Sequence, residues 1–148
     1  MSKLFDLTGK TALVTGASKG MGLAMATGLA EHGATVVISS RKQPDLDAAA
    51  AQINAAAGRD CAIPIASNIN DKAQLEDLVN QTRDKAGLID VLVGNAGVNV
   101  HYGPTHDIPD DAYEKIMAAN VQSQLWLARL AHAHMVERGG GSMMFTSS

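Results

Sequence analysis

Residues 15–22 read Thr-Gly-Ala-Ser-Lys-Gly-Met-Gly and connect two segments of different hydrophobic periodicity. Residues 11–14 before them form a short apolar run, which is typical of a buried strand, and residues 22–32 after them have apolar side chains at helical spacing. The three glycines therefore occupy a strand-to-helix turn. Such a turn needs glycine at three places. We expect Gly16 to allow the sharp bend, Gly20 to allow a close approach of the backbone to a pyrophosphate, and Gly22 to allow the helix to pack on the strand. The free N–H groups of the helix N-terminus would add to phosphate binding.

Strand-like and helix-like segments alternate along the whole chain. The predicted strands are 11–14, 35–38, 61–65, 89–93 and 142–146, and the predicted helices are 22–32, 45–57, 71–86 (with Asp71 as its N-cap) and 109–138. This alternation predicts an α/β fold in which a parallel sheet has helices on both faces, and right-handed crossovers make it a Rossmann-like, doubly wound, three-layer α/β/α sheet. Pro64 has no backbone donor, so we expect the third strand at an edge of the sheet.

The composition narrows the class of protein. A length of 148 residues predicts one domain over residues 1–148, and a 46% hydrophobic share argues against disorder. The net charge of −3 gives no basic excess for nucleic acid, and no apolar run is long enough for a membrane span. Cys61 is the only cysteine, which excludes an intramolecular disulfide and a cysteine-built metal site and favours the cytoplasm. His132 and His134 point in different directions on a helix, so no metal site is expected.

Four motifs together resemble one known family. Residues 15–22 are similar to the cofactor loop of the short-chain dehydrogenase/reductase family, and Asn95-Ala96-Gly97, Asn120 and Ser148 match its later motifs in order and approximate spacing. The resemblance covers essentially the whole chain. It implies an oxidoreductase that interconverts a carbonyl and a secondary alcohol by hydride transfer with a nicotinamide dinucleotide. It also implies a small-molecule substrate and, for the full-length protein, a homo-oligomer (a dimer or tetramer).

The resemblance predicts which residues bind the dinucleotide. Ser40 stands where NAD-binding members have an acid, and Arg41 can pair with a 2′-phosphate, with Lys19 as a second cation. This pattern resembles the members that prefer NADP(H) over NAD(H); the alternative is that Arg41 and Lys42 form an ordinary solvated turn. Asn68-Ile69 replaces the family's adenine-contacting Asp-Val. The predicted cofactor-binding residues are Gly16, Ser18, Lys19, Gly20, Met21, Gly22, Ser40, Arg41, Asn68, Ile69, Asn95, Ala96 and Gly97.

The same family implies four catalytic positions, of which two have a match. Asn120 matches the Asn that holds a water in the proton relay, and Ser148 matches the Ser that polarises the substrate carbonyl, with Ser147 as the alternative register. The family's proton-donating Tyr is followed four residues later by a Lys. Tyr102 and Tyr113 both precede Ser148 and neither has such a Lys. We therefore expect a chain truncated before the Tyr-x-x-x-Lys segment, without the C-terminal strands and helices of the domain and inactive on its own.

Two other functions remain open from the sequence. The first is a non-catalytic dinucleotide-binding module or fragment. The second is a receiver-like signalling domain, which would want an acidic cluster after the first strand and an Asp at the end of the third; the glycine turn and Asn68 argue against it. The substrate is not specified by the sequence, because only the loop over residues 98–105 corresponds to a substrate-selecting segment.

Overall fold

The computed structural model describes residues 3–147 of the chain. The strands are β1 (Thr11–Thr15), β2 (Thr35–Ser40), β3 (Ala62–Ala66), β4 (Val91–Gly94) and β5 (Ser142–Phe145). The helices are α1 (Gly20–Glu31), α2 (Gln43–Ala57), α3 (Lys72–Ala86), α4 (Asp110–Met117) and α5 (Ser123–Arg138). Short 3-10 turns cover Lys3–Phe5 and Thr105–Asp107. None of the helices within residues 3–147 is long and apolar enough to cross a bilayer.

The five strands form one parallel sheet in the order β3-β2-β1-β4-β5. The chain starts in the middle of the sheet, moves to one edge through β2 and β3, and then returns past β1 to β4 and β5. The direction of winding therefore reverses between β1 and β4, which confirms the predicted doubly wound fold. Among the described strands β3 pairs only with β2, where Pro64 lies opposite Ile38, so the edge position expected from this proline is also confirmed.

Each face of the sheet has its own pair of covering helices. On one face, Ala12 and Val14 of β1 pack with buried residues of α1 and α2. On the other face, Leu13 of β1 packs with buried residues of α3 and α5. Because the inner strands are covered on both faces, they are apolar at successive positions instead of alternating. Asp71 caps α3 as predicted, its carboxylate accepting a hydrogen bond from the N–H of Gln74 at 3.2 Å.

A π-helical segment, Ala118–Gln122, interrupts the long helix. The predicted long helix over 109–138 is thus present as one helical stretch from Asp110 to Arg138, but the π-helical segment within it was not predicted. The side chain of Asn120, within the segment, forms two hydrogen bonds with the backbone of Val98. A π turn accommodates one extra residue per turn, and such turns are common at functional sites. Hydrophobic periodicity does not resolve a local change of this size.

Asp90 joins three elements at the amino-terminal end of the sheet. Its carboxylate is 5% exposed and accepts two hydrogen bonds at 2.9 Å from Nε and Nη2 of Arg138, at the end of α5. It also accepts one from the N–H of Thr11 at 2.9 Å and one from Nζ of Lys10 at 3.3 Å. The hydrogen bonds from Arg138, then those from Thr11 and Lys10, lower the pKa of Asp90 to about 2 against the opposing effect of burial. The paired carboxylate is thus strongly favoured over the protonated form.

A buried histidine connects α5 with the segment before β4. His134 is 6% exposed, and its Nδ1 accepts a hydrogen bond from the N–H of Ile89 at 3.3 Å. Burial, and next the positive charge of Arg83, lower the pKa of His134 below its usual 6.5, while Glu137 acts in the opposite direction. Only the neutral ring can accept this bond, so the fold favours neutral His134. His132, two residues earlier, is exposed.

Candidate functional site

A cleft of about 470 Å³ opens at the carboxyl ends of the strands. It spans the point between β1 and β4 at which the winding reverses, which is where open parallel sheets usually bind ligands. All of the predicted cofactor-binding residues except Met21 and Gly22 line it. Met21 is 70% exposed, and Gly22 lies under the glycine turn. The lining residues are Gly16, Ser18, Lys19, Gly20, Ser40, Arg41, Lys42, Asp45, Ser67, Asn68, Ile69, Asn70, Asn95, Ala96, Gly97 and Val98.

The turn after β1 packs directly against the turn after β4. Gly16 has a φ of +63°, and a Cβ built on it would lie 2.9 Å from the Cα of Ala96. A Cβ on Gly22 would overlap the carbonyl oxygen of Gly16 and come within 2.7 Å of Nδ2 of Asn95. Both glycines are therefore required by packing. Gly20, in contrast, has a φ of +58° and no atom within 4 Å of the position that a Cβ would occupy, so the space in front of it is open to a ligand.

The N-terminus of α1 faces this open space with backbone N–H groups that have no partner within the helix. Lys19 is its N-cap residue, and its side chain makes no capping hydrogen bond. The first N–H groups of a helix have no partner within the helix, and the helix dipole places partial positive charge there. The residues present thus fit a diphosphate: backbone donors, a glycine that leaves space, and the cation of Lys19 on the same wall.

The wall after β2 carries most of the charge of the cleft. Arg41 and Lys42 are exposed on this wall, and Lys19 lines the cleft on the neighbouring wall after β1. None of the three cations pairs with a carboxylate of residues 3–147. Asp45, at the start of α2, is the only acidic residue among the lining residues named for the cleft. The two cations outnumber the one acid on this wall, so its net charge is positive. Ser40, at the end of β2, has no charge that would repel a phosphate.

The wall after β3 contains a residue that the sequence analysis missed. Asn68 uses its Oδ1 to accept the N–H of Asn70 at 3.1 Å, which shapes the turn. Ser67, immediately before it, is 4% exposed, and its Oγ has no hydrogen-bond partner within residues 3–147. No sequence signal indicates this residue, because the burial of a serine at a strand end depends on its folded neighbours.

Asn95 holds the turn after β4 in place. Its Nδ2 donates to the carbonyl of Gly16 at 3.2 Å, and its Oδ1 accepts from Oγ1 of Thr146 at 3.2 Å. The hydroxyl oxygen of Thr15 accepts the N–H groups of Asn95 and Ala96, both at 3.1 Å. The side chain of Asn95 is therefore occupied by bonds to neighbouring loops and holds them together.

Gln124 of α5 is a second residue that the sequence analysis missed. Its Nε2 donates to the carbonyl of Ala96 at 2.9 Å, which fixes the turn after β4 from the side of α5. A Cβ on Gly94 would overlap the side chains of Gln124 and Phe145. Gly94 thus leaves the space that these two side chains fill.

The predicted catalytic positions are only partly within the described residues. Asn120 lies beside the cleft: its Oδ1 accepts the N–H of Val98 at 2.7 Å, and its Nδ2 donates to the carbonyl of Val98 at 2.8 Å. Ser148 lies outside the described residues, and Ser147, the alternative register, is exposed after β5. Tyr102 and Tyr113 are 88% and 53% exposed and do not line the cleft.

The histidines and the outer surface of α4 and α5 do not line the cleft. Within the part of the chain that the structure describes, no three metal-ligating side chains come together. Leu127 is fully buried, and Trp126 packs partly buried against the core shared by α3 and α5. The outer surface of α4, α5 and the π-helical segment between them exposes a row of large apolar side chains, namely Tyr113, Met117, Val121 and Leu125.

Comparison with known proteins gives consistent results. The family model described as short chain dehydrogenase matches residues 10–148. Dehydrogenase/reductase SDR family member 4 of Caenorhabditis elegans is 36% identical over 140 residues, which are 95% of this chain and 54% of that protein. A short-chain type dehydrogenase/reductase from Mycobacterium marinum superimposes with a TM-score of 0.91 at 36% identity, over 100% of this chain and 60% of that one. L-Sorbose reductase from Gluconobacter frateurii, solved with NADPH and L-sorbose, gives a TM-score of 0.90 at 29% identity, over 97% and 54%. The chain thus spans about half the length of the curated relatives it matches.

Proposed function

The chain belongs to the short-chain dehydrogenase/reductase family, and from that premise we propose that residues 1–148 form an NADP(H)-binding domain of an oxidoreductase that interconverts a carbonyl and a secondary alcohol. The family uses nicotinamide dinucleotides. The observation that carries the choice of NADP(H) is the wall after β2, where Ser40 replaces an acid and the unpaired cations Arg41 and Lys42 line the cleft. The 2′-phosphate of NADP(H) would form charge-assisted hydrogen bonds there, and NAD(H) has no such phosphate.

The bound dinucleotide would supply the hydride. The N–H groups at the start of α1 and Lys19 would bind its diphosphate, and Arg41 its 2′-phosphate. Asn120 would position the Val98 segment beside the reacting groups, and Ser148 would donate a hydrogen bond that polarises the substrate carbonyl. The substrate in this proposal is a small carbonyl compound or alcohol, and the protein acts in the cytoplasm. The exposed apolar row on α4 and α5 supports a homo-oligomer of the full-length protein.

A second candidate is a dinucleotide-binding module without catalysis. Within the 148 residues, neither Tyr102 nor Tyr113 has a Lys four residues later, so these residues by themselves leave both candidates open. Both candidates predict NADPH binding by this chain and neither predicts turnover by it alone. Robust NADPH-dependent reduction of carbonyl compounds by the 148-residue chain would contradict the expectation that these residues do not include the proton donor.

The binding proposal is tested by titrating the chain with NADPH and NADH and following the nicotinamide fluorescence. We expect NADPH to bind more tightly than NADH. Arg41→Asp should weaken NADPH about 10- to 150-fold, the range that corresponds to one charge-assisted hydrogen bond, while NADH is unaffected or gains. Arg129→Asp, on the exposed surface of α5, is the matched control for the change of charge. Unchanged NADPH affinity in Arg41→Asp would reject the 2′-phosphate assignment, and no binding of either dinucleotide by the unaltered chain would reject the function.

A further inference from the structure

Two buried side-chain polar atoms within residues 3–147 have no hydrogen-bond partner: Oγ of Ser67 and Oε1 of Gln124. Gln124 does not line the cleft, and its other amide atom is bonded to Ala96. Ser67 differs on both points. It lines the cleft, and its only side-chain polar atom is the orphaned one.

The backbone of Ser67 is fixed by the sheet. Its N–H donates to the carbonyl of Ser40 at 2.9 Å, so the residue lies between the ends of β2 and β3. A buried hydroxyl that bonds neither protein nor water destabilises the fold, and alanine would fill the same space without that penalty. Rotation about χ1 alone redirects a serine hydroxyl, which can both donate and accept. A ligand in the cleft is therefore the partner that makes sense of a serine here.

The sheet order indicates which part of a dinucleotide passes this wall. The diphosphate site lies after β1, in the middle of the order β3-β2-β1-β4-β5. Asn120 contacts Val98 after β4, on one side of that site, so the reacting end of the ligand belongs on the β4 side. The ends of β2 and β3 lie on the other side, where the opposite end of the ligand must extend.

We propose that Ser67 is a binding residue for the adenosine half of the dinucleotide, through a hydrogen bond from its hydroxyl to the adenine ring or its ribose. This inference rests on the proposed function. It assigns to Ser67 a contact that no sequence motif of the chain indicates, and it explains why the wall after β3 contains a hydroxyl that the protein itself does not use.

The test compares Ser67→Ala with the unaltered chain in two measurements. Calorimetric titration with NADPH and with 2′,5′-ADP gives the affinities, and thermal unfolding without ligand gives the stability. We expect Ser67→Ala to raise the Kd for NADPH about 2- to 12-fold, the range for one neutral hydrogen bond, and to raise the Kd for 2′,5′-ADP by the same factor. The unfolding temperature without ligand should stay unchanged or rise.

Thr82→Val is the matched control. The hydroxyl of Thr82 is also fully buried, but it donates to the carbonyl of Leu78 at 2.8 Å within α3 and is remote from the cleft. Its removal should lower the unfolding temperature and leave both affinities unchanged. The inference is overturned, while the proposed function stands, in either of two cases. In the first, the unaltered chain binds NADPH and Ser67→Ala binds NADPH and 2′,5′-ADP as tightly as the unaltered chain does. In the second, Ser67→Ala lowers the unfolding temperature as Thr82→Val does. If the unaltered chain binds neither probe, the proposed function is overturned with it.

Discussion

Replacement of Asp90 by Asn should reduce the free energy of unfolding by about 2 kcal/mol at neutral pH, and the reduction should vanish in acid. Asn keeps the size of the side chain and can still accept the N–H of Thr11. It has no charge, so it loses the paired interaction with Arg138 and the weaker one with Lys10. The variant therefore isolates the contribution of the charge from that of packing.

The magnitude follows from the pKa of this carboxyl. The fold lowers the pKa of Asp90 from 3.8 to about 2, and each pKa unit corresponds to about 1.4 kcal/mol, which gives about 2 kcal/mol. Because the folded pKa is the lower one, the unfolded chain binds the proton first as the pH falls. The stabilisation is thus complete above about pH 4 and is lost as the pH falls through about 2.

Urea unfolding followed by far-ultraviolet circular dichroism, at several pH values from 7 to 2.5, measures this difference. Asp84→Asn is the control, because Asp84 is exposed on α3 and its replacement should change the free energy by less than about 0.5 kcal/mol. The reasoning is refuted if Asp90→Asn equals the unaltered chain at pH 7. It is also refuted if the difference between them stays constant down to pH 2.5, since packing and not charge would then be its source.

Two further predictions follow from the packing of the site and of α5. Gly22→Ala should abolish measurable NADPH binding in a fluorescence titration, because its methyl group would overlap the carbonyl of Gly16. Gly28→Ala is the control, because Gly28 lies in the same helix with free space around it. This control should keep NADPH binding and raise the free energy of unfolding by up to about 1 kcal/mol. For His134, whose pKa the fold lowers, stability should fall as the pH drops from 7.5 through 6.5 and below, because protonation breaks the bond from the N–H of Ile89. His134→Gln should show a smaller drop in unfolding temperature over the same pH range, and an equal drop would contradict this cause.

The fold could be predicted almost completely from local periodicity. Each predicted strand and helix corresponds to an observed element, with ends displaced by a few residues; β2, for example, extends to Ser40 and α2 begins at Gln43. Strand ends depend on pairing with neighbouring strands, which a single segment does not encode. The π segment at Ala118–Gln122 is missed because hydrophobic periodicity does not distinguish one π turn from an α turn.

The candidate site was predictable where backbone shape determines it. The glycines of the turn after β1 have a conformational reason that is visible in the sequence, and so does the position of that turn between a strand and a helix. Ser67 and Gln124 have no such signal, because a serine before Asn68 or a glutamine in a helix is ordinary until its burial is known. Gly94 is similar: the requirement for glycine at this position becomes visible only with Gln124 and Phe145 in place.

The Asp90 network and the cleft lie at opposite ends of the same strands. Selection can therefore act on them separately. Substitutions around Lys10 and Arg138 would change the free energy of unfolding. Under the proposed function, substitutions around Ser40 and Arg41 would change which dinucleotide is preferred, and the strands keep the two groups of residues apart. A lineage that changes its cofactor can thus offset the accompanying loss of stability at a distance, without altering the residues that contact the ligand.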